Sequence, residues 1–193
     1  MDTSGKKHVG QFRQAIAYCL AYELRKQGLD PVALCERAAT YDASTPSDDL
    51  AGQVLHYADL AARGGDPNGV TSKAEVTQHA LYGAGQVLGL SGPAMIGLVY
   101  GGATKIKGYV FESARLPEVR GASALLDRIN TLDVRALWGE TFEGAEKDQR
   151  ERARQVREQY QCLASPQCLV YTGGGNFLAF APRSVAQRMA DQV

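Results

Sequence analysis

The chain has 193 residues, 45% hydrophobic and 22% charged, enough for one ordinary core or two small ones. Its 21 basic and 21 acidic residues cancel, which excludes a protein that holds nucleic acid through an overall cationic surplus; contact with RNA must be local or shared with basic partners. The four cysteines lack Cys-x-x-Cys spacing and His8, His56 and His79 are scattered, which argues against a zinc ribbon or disulfide framework and for reduced thiols in a cytoplasmic protein.

The first residues, Met1 to Lys7, are polar and lack the apolar core of a signal peptide. Residues 11–27 read as an amphipathic helix with Phe12, Ile16, Cys19, Leu20 and Leu24 on its inner face and Gly28 as terminator. Asp30-Pro31 offers an N-cap and a first-turn proline for a second helix to about Ala39. Ser47-Asp48-Asp49 caps a third, whose inner stripe is Leu50, Val54, Ala58 and Ala61. Residues 63–69 form a loop, and Ser72-x-x-Glu75 predicts a fourth helix bearing His79, which reads as a core histidine rather than a ligand.

Ala80–Thr104 carries no charge over 25 residues, long enough to span a bilayer. Its seven glycines, with Gln86, Ser91 and Pro93, argue instead for a buried helix–loop segment and no membrane. From Lys105 to Glu112 apolar and polar residues alternate as in a strand, and Pro117 and Glu118 then open a helix with Ser123, Leu125, Leu126 and Ile129. Residues Glu140–Tyr160 predict a charged helix whose interleaved arginines and glutamates form a solvated face rather than an RNA-binding ridge.

The most informative stretch is Cys168–Ala181, CLVYTGGGNFLAFA. Two runs rich in β-formers flank Gly173, Gly174, Gly175 and Asn176, residue types that accept the positive φ of a tight hairpin turn. Bare glycine backbone also lets a phosphate approach closely, although a plain structural hairpin meets the same pattern. Pro182-Arg183-Ser184 ends the last strand, and Ser184 can cap a final helix. The fold class is therefore α+β: a helical N-terminal region over residues 1–104, then an antiparallel sheet over 105–193. The order βαββα is a ferredoxin-like palm without its last strand. An unfinished sheet implies the front part of a longer protein or a subunit completed by a partner.

Ala114-Arg115, Gly121-Ala122-Ser123, Leu125-Leu126 and Gly173-Gly174 resemble the palm of the large subunit of type III CRISPR effector complexes, over roughly residues 106–193. In that family a strand runs into an Ala-Arg pair, a helix carries Gly-x-Ser and Leu-Leu, and a hairpin bears Gly-Gly-Asp-Asp. The resemblance implies a nucleotide site at Ser123, Gly173, Gly174, Gly175 and Asn176, with ATP and magnesium as possible ligands. It also implies other CRISPR effector subunits, guide RNA and target RNA as partners. Where the family has two aspartates, this chain has Gly175 and Asn176. Paired carboxylates are what hold two hard cations together. Glu112 is the one weak replacement nearby, so no catalytic residue is assigned and the palm is expected to be inactive. No His-Asp doublet occurs, so the HD nuclease domain of many family members is expected to be missing.

Three functions compete. The first is a scaffold near the 5′ end of the guide RNA, with target recognition left to base pairing. The second is a palm that still makes cyclic oligoadenylate from ATP, drawing carboxylates from Glu112, Glu118 or Asp127. The third is a nucleotide-sensing or structural α/β domain outside CRISPR biology.

Overall fold

The computed structural model describes residues 4–45, 47–63, 84–90, 96–102, 115–160 and 163–191. The predicted helix from Ser72, with His79, the strand at 105–112 and Glu112 lie outside them. The class is α+β, with a helical N-terminal region and a three-stranded antiparallel sheet. The chain divides into two compact units, one of residues 1–97 with 180–186, the other of residues 98–179 with 187–193.

In the first unit, helix α1 spans Ser4–Glu23. It begins before the predicted residue 11, because Gly5 and Gly10 weaken a helix without stopping it. A 3-10 turn at Arg25–Gln27 closes on Gly28, whose φ of 90° is the left-handed stop expected there. Helix α2, Pro31–Ala39, starts as its sequence demands: the Asp30 carboxylate accepts from the amides of Val32 and Ala33 at 2.9 and 3.3 Å. Helix α3, Leu50–Arg63, is capped by Asp49, which accepts from Gly52 N–H at 2.7 Å.

Ile16, Leu20, Leu24, Leu34, Val54 and Ala58 meet in the core between these helices. Through that core runs an ion pair that no sequence pattern announced. Arg13 donates to Asp59 at 2.9 Å and to the carbonyls of Ala38 and Ala39 at 2.6 and 3.0 Å, so one guanidinium ties all three helices. Cys19, Cys35 and Cys168 are buried thiols. Among the described residues no helix is long and apolar enough to cross a membrane.

Strand β1 is Ile96–Gly102. This corrects the helix–loop reading of Ala80–Thr104: residues 84–87 are helical, but the far end of the run is sheet. Its glycines are there for space. A Cβ on Gly101 would run into the Phe177 ring, one on Gly102 into the Asn176 side chain, and one on Gly97 into Ala186. Glycine normally weakens a strand, and here close neighbours require it.

Helix α4, Leu116–Arg128, continues through a π-helical segment, Ile129–Asp133, into α5, Val134–Leu137. Gly139 ends this rod with a φ of 94°. Helix α6 is Lys147–Tyr160, beginning seven residues later than the predicted Glu140. Phe142, at a φ of 57°, breaks the helical path, and Ala145 N–H closes a turn on its carbonyl. The solvated face of α6 is as read: Arg154 bonds Glu151 at 2.6 Å and Glu158 at 2.7 Å. Strands β2, Leu169–Gly173, and β3, Asn176–Pro182, form the predicted hairpin, and the sheet order is β1-β3-β2. A short helix α7, Ala186–Asp191, follows. Ser184 does not start it; its N–H donates to Glu23 at 2.9 Å.

Candidate functional site

Gly174 and Gly175 make the two-residue turn of the hairpin, with φ of 58° and 83°. Positive φ at both central positions is the primed geometry that matches the twist of the flanking strands. Gly173 pairs with Asn176, Thr172 with Phe177 and Tyr171 with Leu178, and a bulge lies between Leu169 and Tyr171.

The two faces of the hairpin do different things. Inward, Phe177 packs on Trp138 with ring centroids 5.4 Å apart, and Thr172 donates its hydroxyl to the Asn130 carbonyl at 3.0 Å. Asn130 belongs to the π segment, where the wider turn disturbs the regular hydrogen-bond ladder. Outward, Tyr100 of β1 donates to the Asn176 side-chain oxygen at 3.1 Å, and Tyr171 donates to the Gly173 carbonyl at 2.9 Å.

Of the residues proposed for nucleotide binding, Gly173 to Asn176 therefore share one turn. Ser123 stands exposed on α4, about two turns before Asn130 on the same rod. Helix α4 buries no side chain. Of the other carboxylates considered, the described ones do not converge on the turn: Glu118 pairs with Arg115 at 3.6 Å in the first turn of α4. Asp127 lines a cavity of about 430 Å³ between the rod and α6. There Arg152 bonds Asp133 at 3.0 and 3.3 Å, a contact that holds the guanidinium more firmly protonated than usual. Among the described residues no group of three or more His, Cys, Asp or Glu side chains could hold a metal ion.

Chemically, the turn offers glycine N–H groups, an asparagine amide and two tyrosine rings. It can contact a base or a phosphate oxygen, but it carries no carboxylate to hold a cation. Neither Tyr100 nor Tyr171 stood out in the sequence. Their signal was alternation: Leu98 and Tyr100 exposed around buried Val99, and Tyr171 exposed before the turn. Compared with known proteins, the chain matches no family model, and no curated protein or solved structure shows significant similarity to it.

Proposed function

We infer that this chain is a palm-bearing subunit, whole or in part, of a type III CRISPR RNA-guided, RNA-targeting effector complex. Its role is structural, near the 5′ end of the guide RNA, and its palm does not turn over ATP. One observation carries the reading: the glycine hairpin is seated through Thr172 on the rod whose front half bears Gly121-Ala122-Ser123 and Leu125-Leu126. The two stretches that resemble the family thus belong to the same compact unit and are linked through that rod.

The inactive palm follows from the turn. Gly175 has no side chain, and the Asn176 oxygen already accepts from Tyr100. A neutral amide committed to a hydroxyl is a poor ligand for a hard cation. Phosphoryl transfer rests on such cations and on positioning, so the turn lacks the main catalytic element.

The test is purification of the tagged chain from its native host. The expected result is co-purification with other CRISPR effector subunits and guide RNA. A well-behaved monomer without such partners or RNA would overturn the reading. Incubation with ATP and magnesium should give no cyclic oligoadenylate; product formation would favour the enzyme instead.

A further inference from the structure

Two exposed rings flank the glycine turn on the outer face of the sheet. Tyr100 is 69% exposed and Tyr171 is 54% exposed. They stand on the strands either side of β3, about 10 Å apart at ordinary strand spacing. Leu98, 61% exposed, and Leu178 extend the same face.

Both tyrosines are held by their hydroxyls, Tyr100 on Asn176 and Tyr171 on Gly173. Tethered rings have little rotamer freedom left to lose, so a ligand stacking on them meets a prepared surface. The residues presented here, Leu98, Tyr100, Tyr171, Asn176 and Leu178, carry no formal charge. Such a face complements a neutral planar group with polar edges, which is the description of a nucleobase. It offers nothing to balance the several negative charges of a free triphosphate.

We propose that Tyr100 and Tyr171 form a stacking site for the bases of single-stranded RNA, with the Asn176 amide beside the base edges. Aromatic side chains on a sheet surface bind single strands in this way, and each stacked base adds affinity that is tolerant of sequence. The choice of RNA rests on the function proposed above; the stacking chemistry rests on the rings.

The test uses the full chain and fluorescein-labelled oligoadenosine of about ten nucleotides, followed by anisotropy. Tyr100→Ala and Tyr171→Ala should each weaken binding about tenfold, while Tyr100→Phe and Tyr171→Phe, which keep the ring but lose its hydroxyl tether, should weaken it distinctly less. Affinity should change little between about 50 and 200 mM salt, since stacking releases few counterions. Equal binding by the alanine variants, loss in the phenylalanine variants alone, a steep salt dependence, or no binding by wild type would each overturn the site. So would ATP competing as well as the oligonucleotide, which would mark a mononucleotide pocket. Wild-type co-purification from the host tests the effector reading separately. If the complex forms while oligonucleotide binding ignores the rings, the stacking site alone fails.

Discussion

Thr172 and Asn130 lie 42 positions apart in the chain, yet the threonine hydroxyl donates to the asparagine carbonyl at 3.0 Å. The bond joins the edge strand of the sheet to the π segment of the rod. It fixes where the glycine turn stands against the helix that carries Ser123.

Thr172→Val keeps the shape and removes the donor. A hydrogen bond of this kind contributes about 1 kcal/mol net, and the carbonyl left behind loses its partner. The variant should therefore unfold at lower urea concentration by an amount corresponding to about 1–2 kcal/mol, whereas Thr172→Ser should keep most of the stability. If valine matches wild type and serine does not, methyl packing rather than the hydrogen bond holds the strand.

The turn makes a sharper demand. Gly175 sits at a φ of 83°, so a β-branched residue there must adopt a backbone that L side chains avoid. Gly175→Val should cost about 1–2 kcal/mol or more, and Gly175→Asn distinctly less, because asparagine tolerates the left-handed region. Thermal melts of the two variants decide this; equal losses would mean that the site is limited by space rather than by φ.

Such local demands explain which parts of the fold could be read in advance. The hairpin and the start of α2 were legible because a turn needs particular φ values and a helix needs its first amides satisfied, and both needs fall on adjacent residues. Strand β1 was not. Gly97, Gly101 and Gly102 hide its alternation, and the reason for them is the proximity of Ala186, Phe177 and Asn176, far along the chain. The break before α6 was missed because the charge pattern runs on through Phe142, whose positive φ interrupts the helix. At the candidate site the glycines were visible but the tyrosines were not, since Tyr100 belongs to the strand that the glycines concealed.

Arg13 and Asp59, also far apart, form a pair in which the aspartate side chain is 4% exposed. Asp59 also accepts from Arg63 at 2.7 Å, so removing Arg13 leaves the carboxylate a second cation, whereas removing Asp59 takes the counter-charge from the buried Arg13 guanidinium. Asp59→Leu alone should destabilise the N-terminal helices by about 3–5 kcal/mol, whereas Arg13→Met combined with Asp59→Leu should recover much of that loss. Denaturant titrations of the single and double variants measure the difference. A double variant as weak as the single one would show that the bonds from Arg13 to Ala38 and Ala39, rather than its charge balance, hold α2 in place.

The capping of α3 also carries a pH signature. The Ser47 hydroxyl and then the Gly52 N–H donate to Asp49 and hold its carboxyl below the usual aspartate range. Ser44 does the same for Asp42, first through its backbone N–H. A group whose pKa is lower in the folded chain stabilises the fold when ionised. That contribution is complete above the ordinary aspartate value of about 4 and is lost as pH falls through the lower folded value. Asn at position 49 can still cap the helix, but it carries no titrating charge. Wild type should therefore melt above Asp49→Asn at about pH 6, and the gap should close towards about pH 2.5. A gap that stays constant over that range would show that the Asp49 charge adds nothing beyond its hydrogen-bond geometry.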